Sequence, residues 1–249
     1  MKTALKQLFR RLNLVFVTAK HAGVPYLDHV PQTAFESVLL RTFPDLNGLN
    51  FIQVGANDGH RFDPINAFVG RYGWRGVLVE PVPANFRHLQ QTYAGHPDLT
   101  LLQAAVDVQA GQRPIYHLRD KLPTDAPDWV WGLASFDREH LMKSISAYNW
   151  PPDVIETTLV PTVTWDSVWQ RLPGGRCDLL VIDTEGYDVV LLRSAGLAQH
   201  RPRLVHFEHD HVAPAERIAF YAELLALGYE LATDAGDTTA WLPPGKLNP

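Results

Sequence analysis

Carboxylates and imidazoles recur at the ends of short apolar runs in this chain. Glu80 ends Gly76-Val77-Leu78-Val79, Asp183 ends Asp178-Leu179-Leu180-Val181-Ile182 with Glu185 two positions on, and Glu208 and His209 end Arg203-Leu204-Val205-His206-Phe207. A carboxylate at a strand end has three chemistries open to it: accepting both hydroxyls of a ribose, taking the proton of a reacting hydroxyl, or ligating a metal. Each hydrogen bond to a charged acceptor is worth about 1.5–3 kcal/mol, so one acid suffices to grip a nucleoside. Glu80 is the candidate for that task, with a solvated strand end as its plain alternative.

The stretch upstream of Glu80 narrows the ligand. Phe51-Ile52-Gln53-Val54-Gly55-Ala56-Asn57-Asp58-Gly59 begins as a β-friendly apolar run and passes into small, turn-forming residues, which reads as a buried strand feeding a tight loop. A strand, a Gly-bearing loop, a helix and a second strand closing on an acid about 20 residues on is the geometry that delivers a carboxylate to a ribose. A dinucleotide fingerprint would read G-x-G-x-x-G and set a helix N-terminus against a pyrophosphate. Here Asp58 stands where a phosphate would be repelled, so a cationic ligand with an amino-acid head and a sulfonium is favoured. S-adenosylmethionine has both.

The elements that must position these groups alternate. Strands are expected at 51–54, 76–80, 99–106, 158–164, 178–183, 203–208, 229–233 and 239–242, with a short extra strand at 113–118. Helices are expected at 33–41, where Thr33 and Glu36 form a capping pair, at 64–72, 83–93, 138–147 and 166–172, from about 187, and at 214–227. Helices between successive strands imply right-handed crossovers and a mostly parallel sheet covered on both faces, and the last two strands must be antiparallel neighbours. In such a sheet ligands sit beyond the carboxyl ends of the strands, where Asn57, Glu80, Ala105, Asp183 and Glu208 would gather. Residues 119–156 break the alternation with Pro123, Pro127, Pro151 and Pro152 and with Trp129, Trp131, Tyr148 and Trp150, the marks of a substrate lid whose aromatics stack on a sugar face or anchor the lid itself.

For catalysis, Asp183 suits the amino group of the cofactor or the acceptor, Glu185 suits acceptor positioning, and Glu208 or His209 suits the general base; helix capping is the plain alternative for Asp183. His206-Phe207-Glu208-His209-Asp210-His211 tempts as a metal site, but on an extended strand alternate residues face opposite ways. A divalent ion between Asp183 and Glu208 is therefore the less favoured reading, and no metal ligand is assigned. Asn149-Trp150-Pro151-Pro152-Asp153 imitates the Asn-Pro-Pro-aromatic motif of methyltransferases acting on amino groups of bases, but Trp150 interrupts it and no strand precedes it.

The chain resembles FkbM-type methyltransferases, within the class I S-adenosylmethionine-dependent superfamily. The resemblance rests on residues 51–59, on Gly76 to Pro81, on Ala104-Ala105-Val106-Asp107 with Gly111, on Val181 to Asp188 with Leu191, Leu192 and Gly196, on His206 to His209, and on Leu224, Leu225, Gly228 and Tyr229. It implies a three-layer, doubly wound, seven-stranded Rossmann-like sheet with an antiparallel last strand, and O-methylation of a hydroxyl, often on a sugar. It places the cofactor on Gly55, Ala56, Asn57, Asp58, Gly59 and Glu80, and the strand ends add Gln53, Pro81, Ala105, Val106 and Asp183 as candidate cofactor contacts. It covers roughly residues 50 to 232, leaving 1–45 as a helical extension ahead of a methyltransferase domain from 46.

Composition bounds the rest. A chain of 249 residues, 46% hydrophobic, can bury one sizeable core. A net charge of -5 supplies no basic field to recruit nucleic acid, and the single cysteine, Cys177, fits a reducing cytoplasm. No apolar run reaches the about 18 residues that span a bilayer. Residues 1–21 carry Lys2, Lys6, Arg10, Arg11 and Lys20 on a helical apolar pattern, a peripheral membrane contact or, more simply, a surface packed on this domain or on a second subunit. Two other functions compete: a nicotinamide-dependent oxidoreductase, and a glycan- or partner-binding module without turnover.

Overall fold

The computed structural model describes residues 31–119, 122–124, 126–234 and 236–244. Its centre is a seven-stranded sheet in the order β10-β11-β9-β8-β1-β2-β3. The strands are β1 (Asn50–Val54), β2 (Arg75–Val79), β3 (Leu99–Leu102), β8 (Leu179–Ile182), β9 (Leu204–Glu208), β10 (Glu230–Thr233) and β11 (Asp237–Trp241). Strands β3, β2, β1, β8 and β9 run parallel, and β11 enters antiparallel between β9 and β10. The fold is thus the three-layer, mostly parallel architecture that the alternation and the resemblance predict.

Alternate side chains of each central strand feed opposite cores, as the two-residue period of a strand requires. Ile52, Val54, Leu180, Ile182, Val205 and Phe207 join one buried cluster, against α5 (Trp165–Trp169), α6 (Asp188–Ser194), α7 (Leu197–His200) and α8 (Pro214–Ala226). Phe51, Leu78, Leu179, Val181 and Leu204 join the other, against α1 (Ala34–Thr42), α2 (Asn66–Arg71) and α3 (Pro83–Thr92). Apolar on both faces, β8 reads as a continuous hydrophobic run, and β1 departs from one at the buried Gln53. The Thr33 hydroxyl accepts from the Glu36 N–H at 3.1 Å to cap α1, the cap legible in the sequence, while the Glu36 carboxylate accepts from the N–H of Gln32, one residue ahead of the cap. That helix is packed on the sheet through Phe35, Val38 and Leu39, so the cap opens an integral element of the domain. Residues 1–21, with their basic helical pattern, lie outside the described residues. No described helix is long and apolar enough to cross a membrane.

Two expected strands change place. Residues 99–106 do not form one strand: β3 stops at Leu102, and β4 (Ala105–Val106) pairs with a different sheet. The neighbour of β3 ends at Val79, opposite Leu102, and Pro81 has no N–H with which to lengthen the ladder. The stretch expected at 158–164 is β7 (Ile155–Val163), and it belongs to a second sheet ordered β4-β7-β5-β6, with β5 (Gly111–Leu118) and β6 (Ala134–Ser135). β5 and β7 are antiparallel partners from Gly111 opposite Thr162 to Leu118 opposite Ile155. A sequence with no tight turn between these runs hides their pairing, because the connection is the lid itself. The lid carries a 3-10 turn at Asp128–Gly132 and α4 (Arg138–Ser144), and has its own small core of Val130, Leu133, Leu141, Ile145 and Val154.

Candidate functional site

β1 lies between β2, the next strand in the chain, and β8, reached only after the chain has run to the sheet edge and returned. Such a reversal of strand order opens a crevice beyond the strand ends. The crevice is present as a cavity of about 280 Å³, walled by Gln53 to Asn57, Glu80, Pro81, Ala104 to Val106, Val181 to Glu185 and residues of the lid.

Its floor is made by backbone. The N–H groups of Gly55 and Ala56 both donate to the Val79 carbonyl, at 2.9 and 3.1 Å, folding the chain back over β2. Asp183 N–H donates to the Val54 carbonyl at 3.0 Å, stitching the end of β8 to the end of β1. Gly55 has φ +81, and a Cβ there would stand 1.7 Å from the Asp183 carbonyl oxygen, so only glycine permits the approach. Glu80 is buried, its two carboxylate oxygens accepting from Asn57 N–H at 2.9 Å and Val82 N–H at 2.8 Å. The Asn85 side chain is a third donor, which leaves one of the carboxylate's four lone-pair positions open. Burial pushes the Glu80 carboxyl up to about 7 against the pull of these donors. Nearby, Gln53 Oε1 is buried with no partner. An acid with acceptor capacity to spare and an amide oxygen with no donor fit a ligand rich in hydroxyl and amino groups, as the adenosine half of S-adenosylmethionine is.

The opposite wall is acidic. Asp183 is reached by solvent from the cleft but enclosed elsewhere by protein; burial, then Glu185, Asp188, Glu208 and Asp237, push its carboxyl well above the usual range. Glu185 sits at φ 52, an uncommon conformation for a residue with a side chain, and its carbonyl accepts from the Ser135 hydroxyl at 2.9 Å. Burial raises the Glu185 carboxyl, but His140 and His211 outweigh it and hold it below the usual value. Glu185 and then Glu208 push His211 up to about 10. Asp188, wholly buried, accepts from the hydroxyl of Thr184 at 2.9 Å and shapes the loop from beneath. The second sheet is tied to this loop by Asp107, which accepts from Tyr187 Oη at 3.0 Å and from Arg113 at 2.9 Å, with the guanidinium 3.8 Å over the Phe136 ring.

Of the residues singled out in the sequence, Gln53, Gly55, Ala56, Asn57, Glu80, Pro81, Ala105, Val106, Asp183 and Glu185 line the cleft. Asp58 and Gly59 do not. The Asp58 carboxylate caps its own turn, accepting from the N–H groups of His60 and Arg61, so it is spent on the loop rather than offered to a cation. Gly59 packs against Leu89 and Tyr93, where a Cβ would clash at 2.7 and 2.6 Å. His209 is buried against Thr238, its Nδ1 2.9 Å from the Thr238 hydroxyl, and its N–H donates to the Gly236 carbonyl; it lies outside the cleft lining, as does Glu208, which meets His211 at 3.2 Å. Among the four lid aromatics Trp129 lines the cleft, 42% exposed, whereas Trp131, Tyr148 and Trp150 pack on the lid core, with Tyr148 stacked on Trp150 at 4.9 Å. Sequence reasoning missed Phe62, 72% exposed at the cleft mouth, and Ser135, Phe136, Tyr187, His206 and Asp237 in the wall. It missed His140 altogether: a histidine on a short lid helix gives no local sign that it will meet Glu185.

Comparison with known proteins agrees with this architecture. The Methyltransferase FkbM domain family matches residues 53–237. A solved methyltransferase FkbM from Methylobacillus flagellatus KT superposes with a TM-score of 0.51 at 14% identity, covering 84% of this chain and 46% of that one, so this chain spans about half the length of that protein. The precorrin-6y C5,15-methyltransferase of Geobacter metallireducens GS-15 is similar at a TM-score of 0.41 and 12% identity, covering 82% of this chain and 86% of that one. No curated protein sequence matches. With the family's domain extending across the strand ends, the Glu80 pocket and the loop after β8, the chain belongs to the FkbM methyltransferase family.

Proposed function

We propose that this protein is an S-adenosylmethionine-dependent O-methyltransferase whose acceptor is a hydroxyl of a small sugar or glycan. The observation that carries the reading is the buried Glu80 carboxylate, at the end of β2 and hydrogen-bonded to the loop after β1, facing the same cleft as Asp183 and Glu185. Bound S-adenosylmethionine supplies a methyl group activated by its sulfonium. Glu80 offers its open acceptor position to the ribose hydroxyls, and the turn from Gly55 to Asn57 holds the chain close beneath them. Asp183, whose N–H is bonded to the end of β1, takes the amino group of the cofactor or the acceptor hydroxyl. Glu185 orients the acceptor.

An oxygen acceptor is favoured by the chemistry of the loop after β8. A hydroxyl must lose its proton as the new carbon–oxygen bond forms, and the position carries acids able to take it, Asp183 and Glu185. The Asn149 segment that imitates an amino-methyltransferase motif sits in the lid, after a 3-10 turn, with Asn149 at φ 51. Trp129, at the lid side of the cleft, offers an apolar face beside which the acceptor can dock. Calorimetric titration tests the cofactor: micromolar S-adenosylhomocysteine binding without NADH binding supports the reading, and the reverse ends it in favour of a nicotinamide enzyme. Labelled methyl donor incubated with nucleotide sugars and cell-envelope glycans then tests the acceptor, and cofactor binding without transfer to any of them would favour a non-catalytic binding module.

A further inference from the structure

The lid and the loop after β8 bring together a second set of groups beside the cleft. Asp137 caps α4, its carboxylate accepting from the N–H groups of Glu139 at 2.8 Å and His140 at 3.3 Å, and this fixes His140 in the first turn. His211 arrives from beyond the end of β9. Between them stands Glu185, with Oε2 3.5 Å from His140 Nε2 and 3.5 Å from His211 Nε2, while His211 Nε2 is 3.2 Å from Glu208 Oε1. The two rings are 4.1 Å apart, nearly perpendicular. A cavity walled by Ser135, Asp137, His140, Glu185, Tyr187 and His211 adjoins the cleft and shares Ser135, Glu185 and Tyr187 with it.

We infer that His140, Glu185 and His211, with Glu208 as a fourth donor, form a binding site for a divalent first-row transition ion. One ligand atom from each of the first three lies within 4.8 Å of the others. Donors about 2.0–2.1 Å from a tetrahedral ion stand about 3.4 Å from one another, which is the spacing seen on both sides of Glu185. Contacts of 3.5 Å are long for charge-assisted hydrogen bonds, which run at about 2.7–2.9 Å. One atom of the set, His140 Nε2, is buried with no hydrogen-bond partner, and a cation would satisfy it. Mixed imidazole and carboxylate donors suit zinc, manganese, iron or cobalt better than calcium or magnesium. Gly186, at φ +98, makes the left-handed turn that carries the chain past the two imidazoles.

This deepens the hydroxyl-acceptor reading and its function rests on it: an ion at the shared wall would hold the acceptor oxygen and lower its pKa. Binding of the metal alone is separate from that reading. The chelator-stripped, untagged full chain is titrated with Zn2+ by calorimetry and with Co2+ by visible absorption. One ion per chain is expected, with Co2+ bands typical of nitrogen and oxygen ligands. Loss of a direct ligand should cost at least the roughly 10–100-fold seen for outer-shell partners, so His140→Gln and His211→Gln are each expected to weaken Zn2+ by that factor, while His88→Gln, exposed on α3, leaves it unchanged. S-adenosylhomocysteine binding by each variant verifies the fold. Absence of saturable binding, or undiminished binding in the His140→Gln/His211→Gln double variant, overturns the site and leaves an ion-pair cluster around a protonated His211. Failure of S-adenosylhomocysteine binding in the wild type with Zn2+ binding intact would overturn the methyl-transfer reading and its acceptor role for the ion, but not the site.

Discussion

The two walls of the cleft are built by different means. On the side of β1 and β2, main-chain groups do the holding: Gly55 and Ala56 donate to Val79, Asp183 to Val54, and Glu80 is fastened by two backbone N–H groups. On the side of the small sheet and the lid, side chains do it: Ser135 to the Glu185 carbonyl, Tyr187 and Arg113 to Asp107, and a separate core around Leu141. Backbone hydrogen bonds between parallel strands leave little freedom of position, whereas a satellite core of a few residues can shift or open without disturbing the main sheet. The lesson is a division of labour: a main-chain-held wall where the proposed cofactor would lie, and a side-chain-held wall where the proposed acceptor would.

Five perturbations probe that contrast. Replacing Gly55 by alanine drives a Cβ to 1.7 Å from backbone at φ +81, and a loss above about 4 kcal/mol, or no soluble protein, is expected in urea unfolding. Glu80→Ala should weaken S-adenosylhomocysteine by about 100-fold, since hydrogen bonding of the ribose to a charged acceptor is lost; calorimetry showing unchanged affinity would remove the ribose assignment.

On the other wall, Leu141→Ala should cost about 2–4 kcal/mol, but locally. Hydrogen exchange should quicken across 128–148 while amides of β1 and β8 keep their protection, and uniform acceleration would contradict a separately packed lid. The pH dependence of cofactor binding belongs to the main-chain-held wall. The Glu80 carboxyl stands at about 7 in the free protein, and ribose hydroxyls favour its ionised form, so the bound value is lower. Binding then expels a proton below pH 7: affinity is level above 7 and falls by up to about tenfold per unit below it. The Leu141→Ala variant should keep that profile. Smallest is Gly132→Ala, where the new Cβ meets the Asn57 side-chain nitrogen at 2.5 Å rather than backbone; because that amide can swing aside, a stability change under about 1 kcal/mol is expected by thermal melting.

The parts of the site legible in the sequence were those made by neighbours along the chain. Phe51 to Gly55 announces a buried strand and a turn, and Val77 to Glu80 a strand ending on an acid, because apolar period, glycine and terminal carboxylate all fall within a few residues. The Thr33–Glu36 cap is readable for the same reason. Asp58 misled because its charge was weighed against a ligand when the nearer N–H groups of His60 and Arg61 had first claim on it. The alternation that spoke against a metal in His206 to His211 was carried past Glu208, where β9 ends, so it did not govern His211.

The residues 51–59 and 76–81, on their own, determined a parallel α/β sheet with a cofactor-type turn, since local sterics and burial patterns leave few other ways for such runs to fold. Only the tertiary structure decided that the chain leaves the main sheet after Leu102, that β5 pairs with β7 across the whole lid, and that His140, Glu185 and His211 meet. Each depends on contacts between distant segments, where the spacing of residues along the chain carries no record of their separation in space.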